Sequence, residues 1–120
     1  MVSSYTELKV YQKAYQAALE THKISLTMPD IERYAMADQV RRASKSICAN
    51  IAEGFAKHHK STAEFKRFLS IATGSSDEMQ VWLAFCKDLE YIDAIQYKNL
   101  HDTYNEISRM LNGLSKNWKD

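Results

Sequence analysis

Gln39-Val-Arg-Arg-Ala-Ser-Lys-Ser-Ile-Cys-Ala-Asn-Ile-Ala-Glu-Gly-Phe55 is the stretch that decides the fold. On a helical repeat Met36, Val40, Ala43, Ile47, Ile51 and Gly54 share one side and Arg41, Arg42 and Lys45 stand opposite, so the segment reads as an amphipathic helix with a basic back. Gln39, Ser46, Asn50 and Glu53 form a polar stripe between the two. Polar groups at the edge of a buried face need partners, drawn from neighbouring helices or from another copy of the chain.

Upstream, Ser4 and Glu7 have the spacing of a capping box, which predicts a first helix from there to about Leu26, with Leu8, Tyr11, Tyr15, Ala18 and His22 along one side. Thr27-Met28-Pro29-Asp30 ends it, and Pro29 opens a lead-in to the second helix, expected near Tyr34. Downstream, the polar run Lys57-His58-His59-Lys60-Ser61 marks a break, and Ser61 with Glu64 reads as a second capping box. The third helix carries Phe65, Phe68, Leu69, Ala72, Met79, Leu83 and Cys86 on one face over about 40 Å. Ile71, Gly74, Val81, Trp82, Phe85 and Leu89 lie on another. A helix apolar on two sides is buried on two sides, and in a chain of 120 residues the second side is expected to meet another subunit, with Ile71, Val81, Trp82 and Phe85 at the contact. Asp93 and Gln96 cap a fourth helix, where Tyr97, Leu100, Tyr104, Ile107, Leu111, Leu114 and Trp118 repeat at intervals of three and four. Lys116 to Asp120 are expected to fray. Short connections between long helices make neighbours antiparallel, so the expected fold is all-α, an up-down-up-down antiparallel four-helix bundle forming one domain over residues 1–120.

Composition narrows the function classes. No apolar run reaches the ~20 residues of a membrane helix, and the N-terminus lacks the pattern of a secretory signal, so a soluble cytoplasmic protein without membrane contact is expected. Net charge is +1, yet residues 41–67 hold a balance of +5 and residues 77–93 one of −4. That asymmetry allows an anionic ligand on the first region or head-to-tail contact between copies. Arg41, Arg42, Lys45, Lys57, Lys60, Lys66 and Arg67 are the candidate phosphate contacts, and the competing reading is a solvated helix face.

Enzyme chemistry finds no footing. His58 and His59 are adjacent, and neighbours on a helix diverge by about 100°, so they do not chelate as an i, i+4 pair does. Cys48 and Cys86 have no metal or redox spacing and read as packed, protonated thiols. The Glu-x-x-His pair of a di-iron bundle and the GxSxG, HExxH and GxxxxGK[ST] patterns are absent. No catalytic residue, metal site or cofactor is expected. Asn50, Glu53, Gly54 and Gly74 read as structural: Asn50 bonding across helices, Glu53 pairing with Lys57 or a neighbour's base, Gly54 and Gly74 permitting close approach. Trp82 and Trp118 read as core or interface anchors.

Ser46-Ile-x-x-Asn-Ile-Ala-Glu-Gly54, together with Phe65-Lys-Arg-Phe-Leu-Ser-Ile-Ala-Thr-Gly-Ser-Ser-Asp-Glu78 and the opening Tyr5-Thr-Glu-Leu-Lys-Val-Tyr-Gln-Lys-Ala14, resembles the bacterial four-helix bundle proteins encoded in intervening sequences of 23S ribosomal RNA genes. Ser76 departs from the pattern, standing where an apolar residue is expected. The resemblance implies a ring-like homopentamer with no established enzymatic activity. It also implies remote kinship with the accessory proteins of diversity-generating retroelements, which partner a reverse transcriptase and bind nucleic acid. The expected function is therefore an accessory or scaffold protein showing a basic surface to RNA, DNA or an enzyme that works on them. The alternative is a purely structural assembly or protein-interaction module.

Overall fold

The computed structural model describes residues 2–118, and among these every regular element is helical. The long helices are α1 (Lys9–Leu26), α2 (Met36–Lys57), α3 (Thr62–Asp88) and α4 (Ala94–Asn117), with 3-10 turns at Tyr5–Glu7 and Asp30–Glu32. Each long helix packs on two others, α1 on α2 and α4, and α3 on α2 and α4. Cross-helix contacts fix the directions. Ser25 meets Arg41 and His22 meets Lys45, Ser46 meets Ser75 and Met36 meets Cys86, and Lys13 meets Glu106 while Thr21 meets Tyr104. In each pairing one number rises as the other falls, which gives the antiparallel up-down-up-down bundle, 46 × 25 × 19 Å.

The expected inner faces of α2 and α3 are buried along their whole length. Ile47, Ile51, Phe65, Leu69, Met79, Ile107 and Leu111 are removed from solvent entirely, and each contributes the full burial of a large apolar side chain. Ser61 accepts from the Glu64 backbone N–H at 3.1 Å, while the Glu64 side chain turns to Arg67, so only half of that capping box forms. The Asp93–Gln96 box forms completely. Ser76 is buried but satisfied: its hydroxyl donates to the Tyr104 carbonyl at 2.9 Å and lies 2.9 Å from the Ser108 hydroxyl, which also reaches Asp77.

The first helix departs from expectation in two ways. Ser4 accepts from Thr6 N–H, and the Glu7 carboxylate reaches back to Ser3, so the residues around the predicted box close a 3-10 turn; the chain bends at Leu8, and α1 starts at Lys9. The buried side of α1 is Val10, Ala14, Ala17, Ala18, Thr21 and Ser25, while Tyr15 is 47% exposed and His22 half-buried. Small residues let α1 close on α4, and the two buried hydroxyls are tolerated because Thr21 meets the Tyr104 hydroxyl at 2.6 Å and Ser25 donates to the His22 carbonyl.

Loops are held by named bonds. Glu32 accepts the Met36 N–H at 3.2 Å, starting α2 at Met36, and its other oxygen accepts from the Tyr91 hydroxyl at 2.8 Å, tying the α1–α2 connection to the α3–α4 turn. Lys116 and Asn117 continue α4 and Trp118 packs edge-on to Phe65; Lys119 and Asp120, at the end of the stretch expected to fray, lie outside the described residues.

Candidate functional site

The seven basic candidates fall into two groups, and their partners differ. Arg41 is half-buried and donates to Ser25 Oγ at 3.0 Å and to the Arg33 carbonyl at 3.1 Å, so it ties α2 to the end of α1 and the loop beyond. Lys45 Nζ lies 3.1 Å from His22 Nδ1, which makes that ring nitrogen the acceptor. Arg42 is exposed and pairs with Asp38 one turn back at 3.5 Å. This group sits 12 to 16 residues before Lys57, about 18–24 Å along the helix axis.

The second group surrounds the α2–α3 turn. Lys57 Nζ stands 5.7 Å from the Phe68 ring centre and the Arg67 guanidinium 4.6 Å from it. Arg67 also grips Glu64 with two hydrogen bonds, 2.9 and 3.2 Å, which holds that carboxyl below its ordinary range. Lys60 is exposed and Lys66 half-buried, and among the described residues neither forms an ion pair. The cations freest to meet a phosphate are thus Arg42, Lys60 and Lys66.

On the outer side of α3, Ile71, Val81, Phe85 and Leu89 are between 42% and 54% exposed and repeat down one stripe. Trp82 is half-buried beside them, its ring 6.1 Å from Phe85 and its Nε1 donating to Glu78 Oε2 at 2.8 Å. Gly74 lies in the same stripe with nothing of its own chain within 4 Å of where a Cβ would stand, so the close approach expected there does not occur within the protomer. A second apolar strip, Tyr15 and Leu19, is exposed on α1.

Of the motif residues, Gly54 meets its expectation, with Phe68 and Phe65 pressed against it. Asn50 does not bond across helices: its amide donates to the Ser46 carbonyl and hydroxyl within α2, and the crossing bond to α3 runs from Ser75 to Ser46. Glu53 is exposed and forms no ion pair among the described residues, with Lys57 turned to Phe68 instead.

His58 and His59 are not both solvated. His58 is half-buried, its Nδ1 bonded to the Phe55 carbonyl at 2.5 Å, and its ring lies between Phe55 at 4.4 Å and His59 at 3.7 Å. Burial pushes the Cys48 and Cys86 thiols up to about 11, far from a nucleophile's range. Among the described residues no three His, Cys, Asp or Glu side chains converge as metal ligands, and no helix is long and apolar enough to cross a membrane. Periodicity places Tyr104 on the inner face of α4, where it is buried, but gives no sign that its hydroxyl joins Thr21 and Ala17 across α1 and α4, nor of the ring row at Phe55.

A family model described as 23S rRNA-intervening sequence protein matches residues 6–113. The crystal structure, at 1.70 Å, of a protein with unknown function from the S23 ribosomal protein family of Bacteroides thetaiotaomicron VPI-5482 is similar, with a TM-score of 0.79 and 28% identity over 89% of this chain and 95% of that one. None of the curated proteins matches.

Proposed function

The chain belongs to the 23S rRNA-intervening sequence protein family, and we propose that it acts as a non-enzymatic homo-oligomer, a cytoplasmic scaffold that displays its basic residues to nucleic acid or to an enzyme working on it. The observation that carries this reading is the apolar stripe of Ile71, Val81, Phe85 and Leu89 left uncovered on α3. Exposed apolar side chains gathered on one helix face, as Val81, Phe85 and Leu89 are, are characteristic of protein interfaces. Tyr15 and Leu19 form an exposed strip on α1, which is diagonal to α3 in the bundle, while Leu26, Ile31, Tyr34 and Ile95 are exposed near the helix ends. Two different apolar faces on opposite corners favour a head-to-tail contact, and head-to-tail contacts that close produce rings. Five copies is the number the family resemblance implies. Repetition around a ring multiplies a protomer charge of +1 and gathers several copies of Arg42, Lys60 and Lys66 on one particle. A reverse transcriptase is the enzyme class the resemblance implies as partner.

A second reading, a structural assembly without nucleic-acid contact, draws on the ion pairs already made by Arg42 with Asp38 and Arg67 with Glu64. Light scattering coupled to size exclusion, followed by titration of labelled RNA and duplex DNA at two salt concentrations, separates the two. An oligomer that splits on Val81→Glu with Phe85→Glu, and that binds at low salt and releases at high salt, supports the first. A monomeric native protein overturns both; an oligomer that ignores nucleic acid at low salt leaves only the second.

A further inference from the structure

We propose that the cleft beside the α2–α3 turn takes one unpaired base, so that the nucleic acid this protein prefers is single-stranded; the inference rests on the nucleic-acid reading above and names the ligand class. Tyr5, Ala52, Phe55, Ala56, His58 and His59 line a cleft of about 320 Å³, open to solvent, with the Ser3 and Ser4 side chains at its rim. That volume is at the small end of the ~300–1,000 Å³ typical of ligand pockets, the size for one planar group.

The ring stack gives the cleft its chemistry. Phe55 is buried in the core, His58 lies against it at 4.4 Å, and His59 lies on His58 at 3.7 Å with its outer side exposed. His58 is fixed by its bond to the Phe55 carbonyl, so the stack is held in place before any ligand arrives. The rings are tilted, by 31° between Phe55 and His58 and by 41° between His58 and His59, and the row begins in the core and ends at the solvent-exposed His59 ring; bases stack on exposed aromatic side chains of this kind. On the same cleft, Tyr5 presents a half-buried ring steadied edge-on by Tyr11 at 4.9 Å. The Ser3 hydroxyl donates to Glu7 at 2.9 Å and the Ser4 hydroxyl is engaged with Thr6, so they close the turn beside the cleft, and its recognition of a base rests on the rings. Lys57 and Lys60 flank the two histidines in sequence and are both exposed; Lys60 is free of ion pairs among the described residues, and Lys57, which rests over the Phe68 ring 5.7 Å away, would have to swing off it to meet a phosphate. A base within a duplex is paired and stacked on its neighbours, so only a single strand can occupy this place at little expense.

The test is fluorescence anisotropy at low salt with a labelled twelve-nucleotide oligo(A) RNA, the matching DNA strand and a twelve-base-pair duplex. The proteins are the native chain, His59→Ala, His59→Phe, Tyr5→Ala and Lys57→Glu with Lys60→Glu. His59 is in an exposed turn, and circular dichroism of each variant checks that it remains helical. The expected result is that His59→Ala weakens single-strand binding about fivefold or more, the low end for one stacked base. His59→Phe restores it, duplex binding is unchanged by either, and the lysine pair weakens everything. Tyr5→Ala repeats the His59→Ala pattern. If His59→Ala and Tyr5→Ala leave single-strand affinity untouched while the lysine pair abolishes it, the cleft is overturned and the basic surface stands. If the native protein binds none of the three, the nucleic-acid reading fails and this one with it.

Discussion

Gly54 on α2 and Phe68 on α3 approach so closely that a Cβ on the glycine would stand 2.7 Å from the phenylalanine Cβ, with the Phe65 carbonyl oxygen at 3.3 Å. Both obstacles are fixed to the backbone, so relief requires the helices to part. Gly54→Ala is expected to lower stability by about 1–3 kcal/mol, the usual range for overpacking, despite alanine's better helix propensity. Gly74→Ala, in open space on α3, is expected to raise protomer stability by up to about 1 kcal/mol. Urea midpoints check the pair, and equal midpoints would contradict the packing described.

That contrast also shows what periodicity can and cannot read. Met36, Val40, Ala43, Ile47, Ile51 and Gly54 were legible as the inside of α2 because a 3.6-residue repeat places them there whatever they touch. The buried side of α1 is less legible, because Tyr11, Tyr15 and His22 outweigh alanines and hydroxyls on any hydrophobic count, although Leu8 and Ala18, on the same side as them, are buried. Thr21 and Ser25 are nonetheless buried, since Tyr104 and the His22 carbonyl satisfy them, and such partners lie too far along the chain or too close in it for a pattern to reveal. The basic residues were legible as a group but not by role: nothing in the spacing of Arg41, Arg42 and Lys45 says that the first is occupied and the second exposed. The stack of Phe55, His58 and His59 was illegible because turn geometry, not helical period, sets it.

The Tyr104 hydroxyl is 2.6 Å from Thr21 Oγ1 and 3.2 Å from the Ala17 carbonyl, inside a core sealed from solvent. Tyr104→Phe takes a donor from the Ala17 carbonyl and leaves the buried Thr21 hydroxyl without its partner. The expected loss is about 1–3 kcal/mol, the penalty of an unsatisfied buried group. Adding Thr21→Val to Tyr104→Phe should lose less than the sum of the two single changes, because the second removes a group the first had orphaned. Thermal or urea unfolding of the four proteins measures this, and strict additivity would show that the two hydroxyls do not depend on each other.

Stability should fall at alkaline pH for a stated reason. Burial pushes the Cys48 and Cys86 thiols up to about 11, whereas their ordinary value is 9.0. Below that ordinary value both folded and unfolded chains keep the thiol protons, and pH has no leverage through them. As pH rises past it, the unfolded chain releases protons that the folded chain retains, so unfolding is favoured until the folded thiols ionise near 11. Burial likewise holds the Tyr104 phenol above its ordinary 10.0, extending the decline. The urea midpoint is expected to be level through neutral pH and to drop between about 9 and 11. Cys48→Ala with Cys86→Ala should remove the lower part of that drop, and an unchanged profile in the double variant would assign it elsewhere.

Arg41 and Arg42 are adjacent and equally charged, yet the structure separates their jobs. Arg41 joins Ser25 and the Arg33 carbonyl, two hydrogen bonds from a charged donor, whereas Arg42 faces solvent with only the Asp38 pair, of a kind worth about 0.5 kcal/mol or less. Arg41→Glu removes both bonds and brings a carboxylate toward a carbonyl oxygen, so it should cost about 2–4 kcal/mol. Arg42→Glu should leave the urea midpoint nearly unchanged. If phosphates are contacted, Arg42→Glu, Lys60→Glu and Lys66→Glu should each reduce the dependence of log affinity on log salt by about one, uniformly across sequences. Charge reversal at Arg41 does not isolate this effect, because a loosened junction between α1 and α2 alters binding through the fold. Paired urea melts and salt titrations on the four single variants check the division. It is overturned if Arg41→Glu is as stable as the native protein, since the two bonds would then contribute nothing and Arg41 would return to the free basic surface.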